Sequence, residues 1–159
     1  MNKTAIIALI IAGVSLFLAA MENHSDFSPA QQKTIQNEIL KVQEKMKTAA
    51  ESLDVDELYK HVLDVNDVII ENGELRNTRK EALGITKQGF QGIRELTYTY
   101  KHKNIAVLSP GNALWTGTGT TTVILEDGRE ITRDFAETLV FILRNGQWKV
   151  LHAHRSSPQ

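Results

Sequence analysis

The segment WKVLHAHRSSP, residues 148–158, gathers two histidines, an arginine and two serines behind a tryptophan. On a strand, His152 and His154 project to the same side because they stand two apart. Three chemistries suit such a group. Two histidines with a carboxylate such as Glu137 could hold zinc or ferrous iron. A histidine paired with an acid can move a proton next to a carbonyl. Arg155 offers a fork of donors to a carboxylate. H-x-H is common on strands and no further cluster of ligand residues is present, so the plainer reading is a polar network of His152, His154, Glu137, Thr118 and Thr120 with no metal and no cofactor. Asp64 and Asp67 are the other acids placed for base chemistry, but they read as turn and cap residues. Tyr59, Tyr98, Tyr100 and Trp115 read as packing groups rather than ligand-stacking ones.

The chain of 159 residues, 42% hydrophobic and 23% charged, can bury one real core. Its net charge of −1 offers no basic stripe for nucleic acid. Absence of cysteine excludes disulfides, thiol catalysis, cysteine-ligated metals and a lipid anchored on cysteine. The N-terminus runs from MNK through 14 uncharged residues, AIIALIIAGVSLFL, to the small and polar AAMENHSD. That order is the pattern of a secretory signal, with cleavage expected after Ala20. The alternative is an uncleaved anchor, since residues 5–21 reach the short limit for spanning a bilayer. Either way the expected location is periplasmic or secreted, with residues 1–20 as the signal and a single domain over residues 27–156.

The elements that carry the polar cluster follow from periodicity. Ser28 can cap a helix whose first turn holds Pro29, and Ile35, Ile39, Val42 and Met46 fall at helical spacing on one stripe. Asp54 caps a shorter helix, VDELYKHVL, with Glu57 three residues on. DVIIENGELRN reads as a strand and turn, and TRKEALGITKQGFQGI as a third helix. From Arg94 onward the chain is β, and Leu96, Tyr98 and Tyr100 alternate onto one side. Three helices followed by a long, mostly antiparallel meander predict an α+β domain, its helices gathered on one face of a curved sheet.

Asp127-Gly128 and Asn145-Gly146 are hairpin signals that favour two-residue type I′ turns. Such turns fix register. With Arg144 opposite Gln147, Leu139 faces His152, Glu137 faces His154 and Ala136 faces Arg155. With Glu126 opposite Arg129, Thr118 faces Glu137. One face then holds Leu139, Phe141, Leu143, Trp148 and Val150, and towards its far end Arg133, Glu137, His152, His154, Thr118 and Thr120. The other holds Trp115, Val123, Val140, Ile142 and Leu151. Helices can cover only one face, so the second is expected to be a subunit interface.

These residues also carry a resemblance. ETLVFILRNGQWKVLHAHRSSP is similar to the end of the association, or hub, domain of calcium/calmodulin-dependent protein kinase II, and to SnoaL-like members of the nuclear transport factor 2-like superfamily. The shared positions are Glu137, Thr138, Arg144, Gly146, Trp148, Val150, Leu151, His152, His154, Arg155 and Ser156. The resemblance implies a cone-shaped half-barrel with a pocket between helices and sheet, and dimerisation through the sheet. It also implies that Arg155 matches an arginine lining a carboxylate pocket. A second pocket arginine of the hub corresponds to Leu139 here, and its pocket histidine has no counterpart in residues 79–93. Strict alternation puts Leu139 and Arg155 on opposite faces, so both can line one pocket only if a bulge shifts parity. The expectation is an exported homodimer or higher homo-oligomer, binding a small polar, carboxylate or carbonyl ligand through Glu137, His152, His154, Arg155 and Arg133. The alternatives are a cofactor-independent isomerase or lyase, and a pure oligomerisation module; whether the protein is an enzyme stays open. No nucleic-acid partner is expected, and a membrane only if the N-terminal segment is retained.

Overall fold

A computed structural model describes residues 27–66, 69–71 and 73–158. The N-terminal segment expected to act as a secretory signal and Asp67 lie outside them. Among the described residues no helix is long and apolar enough to cross a membrane.

Helix α1 spans Pro29–Glu51. Ser28 starts it through a capping box, its hydroxyl accepting from the Gln31 backbone while the Gln31 side chain accepts from the Ser28 amide. The stripe seen in the sequence faces inward: Ile35 and Ile39 are buried, with Val42 and Met46 packed beside them. Helix α2, Val55–Lys60, is capped by Asp54, and α3, Arg79–Gly89, by Thr78. The strands are β1 (Ile69–Glu71), β2 (Glu74–Arg76), β3 (Ile93–Ser109), β4 (Asn112–Leu125), β5 (Glu130–Arg144) and β6 (Gln147–Ser156). They form one open, curved sheet in the order β2-β1-β6-β5-β4-β3, in which every pairing is antiparallel except β1 with β6. The α+β architecture is the expected one.

Two local departures from the expected register reassign the faces. Arg144 does oppose Gln147, and Asn145 and Gly146 both adopt the positive φ of a type I′ turn. The Asp127-Gly128 turn is one residue longer than expected. Leu125, not Glu126, closes it against Arg129, with Gly128 alone at positive φ. Thr118 therefore opposes Ala136, and Gly117 opposes Glu137. Trp115 thereby moves from the expected outer face to the helix side, where it is wholly buried with Phe141, Val150 and Ile39. The second departure is a bulge in β6: Phe141 opposes Val150 but Val140 opposes His152, so Leu151 is the extra residue. Beyond it Ala153 and Arg155 take the face that Trp148 and Val150 hold, while His152 and His154 turn to the other. The expected pairs Leu139–His152, Glu137–His154 and Ala136–Arg155 are thus replaced by Leu139–Ala153, Thr138–His154 and Glu137–Arg155.

Candidate functional site

Helices α1, α2 and α3 stand over one end of the sheet and enclose a cavity of about 190 Å³. Its walls are mostly apolar, including Met46, Leu58, Val62, Ile69, Phe90 and Leu139. The polar side chains lining it include Gln43, Glu71, Tyr98, Tyr100, Glu137 and Arg155; Lys47, Tyr59 and Thr86 line it too, Lys47 paired with Glu51 and the other two with each other. About 150 Å³ accommodates a benzene-sized ring, which sets the scale of an occupant.

Glu137 stands on β5 among the inward-facing residues. Its Oε1 accepts from Tyr100 Oη at 2.6 Å and from Trp115 Nε1 at 3.0 Å. Among the described residues nothing donates to Oε2. Gly117, opposite Glu137, makes the convergence possible. A Cβ there would stand 2.9 Å from the Tyr100 ring and 3.0 Å from Trp115 Nε1. Burial, then the carboxylate of Glu137, pushes the Tyr100 phenol far above its ordinary value. Tyr100 stays protonated and donates. Its single proton goes to Glu137, so its oxygen accepts from Gln43 Nε2 at 2.7 Å.

Arg155 sits one strand away, directly opposite Glu137 and beside Glu71 of β1. Its guanidinium carbon lies 4.6 Å from the centre of the Tyr98 ring and 4.5 Å from that of Phe135. It donates to Tyr98 Oη at 2.7 Å and to Thr121 Oγ1 at 2.8 Å, both neutral oxygens. Burial opposes the charge, yet Tyr98 and Glu137 nearby more than compensate and hold the pKa above its ordinary value. Among the described residues no carboxylate lies within ion-pair distance of it.

Arg155 and Glu137 therefore meet in the cavity, and the β6 bulge lets Arg155 share its wall with Leu139. His154 borders the cavity at the β1–β6 seam, but it is exposed and alternation turns its ring to the outer face. His152 opposes Val140 on that outer face, away from Leu139. Thr118 and Thr120 are on the outer face too, so the polar network of histidines, threonines and Glu137 is not formed. Arg133 is exposed and lines a wider, open cleft of about 860 Å³ that adjoins the cavity, with Arg155 in the wall common to both. Asp64 is exposed and apart from the cavity. Among the described residues no group of three metal-ligating side chains comes together.

Sequence reasoning missed Gln43, Phe135 and Thr121, and read Tyr98, Tyr100 and Trp115 only as packing. Two signals were present. Gln43 is a polar residue four places after Ile39 and three before Met46, within the buried stripe. Leu96, Tyr98 and Tyr100 alternate onto one side, which carries two phenols towards whatever lies inside.

A family model described as a SnoaL-like domain matches residues 39–159. No curated protein sequence matches the chain. Among solved structures, one similar fold is a protein from Xanthomonas campestris provisionally described as a calcium/calmodulin-dependent protein kinase II association domain. It is 15% identical with a TM-score of 0.68, over 76% of this chain and 86% of that one. A second, from Novosphingobium aromaticivorans, is provisionally described as a scytalone dehydratase; it is 10% identical, TM-score 0.75, over 83% and 89%. A third, from Streptomyces avermitilis, is provisionally described as a dehydratase of the nuclear transport factor 2-like family; it is 16% identical, TM-score 0.71, over 80% and 99%. At these identities the likeness is one of fold.

Proposed function

The chain belongs to the SnoaL-like domain family, and on that premise we propose that it is an exported homodimer whose cavity binds a small molecule bearing a carboxylate or carbonyl oxygen. Arg155 carries the reading. A guanidinium drawn in between two aromatic rings, with only neutral oxygens as acceptors, is an incomplete ion pair. Taking a charge out of water is costly unless an opposite charge or good acceptors replace the water. An anionic ligand oxygen supplies what is missing, and the apolar walls take the ligand's body. The test is titration of the domain with small carboxylates such as benzoate, followed through the indole resonance of Trp115. Binding is expected in the wild type and its loss in Arg155→Met. Equal binding by both proteins would overturn the reading.

A second reading is favoured by Glu137. Held at Oε1 by two donors, it keeps Oε2 free of donors among the described residues, on the strand position opposite Arg155. In that arrangement Oε2 takes a proton from the carbon beside a carbonyl, while Arg155 receives the charge developing on the carbonyl oxygen. Return of the proton to another carbon isomerises the substrate; departure of a β-substituent with the electron pair makes it a lyase. The dehydratase descriptions of two fold neighbours agree with this class of chemistry. Deuterium exchange at the α-carbon of small carbonyl compounds, abolished in Glu137→Gln, would move the assignment from binding to catalysis. Export rests on the N-terminal pattern alone. N-terminal sequencing of protein from the cell envelope is expected to begin near Met21, and intact Met1 in a soluble cytoplasmic fraction would refute it.

A further inference from the structure

We infer that Glu71 is the amine-recognising group of the cavity, so that the ligand is a zwitterion whose carboxylate goes to Arg155 and whose ammonium goes to Glu71 on the opposite wall. The inference rests on the binding reading above and names the ligand's second functional group.

Register sets charges of alternating sign in a row. Glu71 of β1, Arg155 of β6 and Glu137 of β5 are direct cross-strand partners, so they share the inner face, and all of them line the cavity. The Arg155 side chain leans away from β1, past Phe135 of β5 to Thr121 of β4 and Tyr98 of β3. In the sheet order, β1 and β4 are three strand spacings apart, roughly 14 Å between backbones, and the side chains shorten the span a ligand must bridge. Glu71 is half-buried and borders both the cavity and the adjoining cleft, so its carboxylate is reachable. Its charge is felt inside: burial raises the pKa of the Tyr59 phenol, which lines the same cavity, and Glu71 adds to the rise. Among the described residues no cation lies within ion-pair distance of Glu71. The cations near it are engaged elsewhere. Arg76 pairs with Glu74, Arg79 donates to the Tyr59 carbonyl oxygen, and neither lines the cavity. Glu137 already accepts from Tyr100 and Trp115, which leaves Glu71 the less satisfied carboxylate. Lys47 is paired with Glu51, so within the cavity Arg155 alone stands against two carboxylates. A ligand carboxylate adds a further negative charge to this poorly solvated space; an ammonium on the same molecule cancels it and gives Glu71 a partner.

The probes are 4-(aminomethyl)benzoate and its neutral counterpart 4-(hydroxymethyl)benzoate, with benzylamine and benzyl alcohol as a pair that does not involve the carboxylate. Near neutral pH, wild-type protein is expected to bind the amino acid tighter than the hydroxy acid by about tenfold or more. Equal binding of the two overturns the inference without any variant. In Glu71→Gln, which keeps the size of the side chain, the preference should shrink to about one. In Glu130→Gln, which removes the same charge from an exposed position lining neither cavity nor cleft, it should persist. A preference that persists in Glu71→Gln overturns the inference by assigning the amine to another group. One that falls as far in Glu130→Gln as in Glu71→Gln overturns it by assigning the effect to overall charge. If neither acid binds at all, the Arg155 reading fails by itself. Benzylamine then decides: tighter binding than benzyl alcohol, dependent on Glu71, sustains the amine subsite, and equal binding of the two overturns it.

Discussion

Replacing Tyr100 by Phe removes one oxygen and tests the hydrogen-bonded core of the site. That hydroxyl accepts from Gln43 Nε2 at 2.7 Å and donates to Glu137 Oε1 at 2.6 Å. Without it, among the described residues, the Gln43 amide, 3% exposed, has both polar atoms unpaired, and Glu137 keeps only Trp115. An unsatisfied buried group costs about 1–3 kcal/mol, and a hydrogen bond to a charged acceptor contributes about 1.5–3 kcal/mol. Glu137 borders the cavity, so water can replace part of the second, and the net loss should be about 2–4 kcal/mol. With a urea m-value of about 1.5–2 kcal/mol/M, the unfolding midpoint should fall by roughly 1–3 M at unchanged m. In a Gln43→Met background the same change should cost at least ~1 kcal/mol less, because no amide remains to be stranded. Alkaline pH supplies a second readout. The folded Tyr100 pKa is raised by burial and by Glu137, so the unfolded chain releases this proton first. Its contribution is fully present below about pH 10, the ordinary tyrosine value, and declines as pH rises beyond it. Tyr100→Phe should flatten that decline by about one proton. A variant within ~0.5 kcal/mol of wild type, additive with Gln43→Met and equally sensitive to alkali, would refute the network.

Three further outcomes are expected. Gly119→Ala should be among the most damaging single changes, since its Cβ would stand 2.2 Å from the Thr99 carbonyl oxygen in the β3–β4 pairing; a loss of several kcal/mol in urea unfolding is expected, and near-wild-type stability would show that the strands separate easily. His61 is held below its ordinary pKa by burial and then by Lys149, so its contribution is present above about pH 6.5 and lost as pH falls through the folded value; His61→Gln should flatten that acid decline, and an unchanged profile would assign it elsewhere. If the outer sheet face joins two subunits, Val140→Glu should give monomers on ultracentrifugation by placing an unpaired charge beside Ile142; the correction to Trp115 leaves Leu114, Val140, Ile142 and Leu151 as the apolar part of that face. A wild-type protein monomeric at high concentration would end the dimer proposal.

Much of this protein is written locally. Ser28-Pro29 and the spacing of Ile35, Ile39, Val42 and Met46 determine α1 and its inward face, because caps and a 3.6-residue stripe are properties of adjacent residues. Asn145-Gly146 determines the β5–β6 turn for the same reason: two consecutive positive φ values suit few other pairs. Glu137 and Arg155 were both legible as candidate site residues, although not as direct neighbours. What faces what was decided by tertiary structure. Side-chain alternation is a parity count, so one extra residue in the Asp127-Gly128 turn carries Trp115 into the core, and the extra Leu151 in β6 exchanges the histidines for Ala153 and Arg155. The bulge belongs to a strand that must curve under α1 while pairing with both β5 and β1, a demand made by distant elements and not by the residues 148–156 themselves. Gln43 shows the same division. Its place in the stripe was set by spacing, but its oxygen became a free acceptor only when β3 brought Tyr100 against it and β5 brought Glu137 to take the phenolic proton.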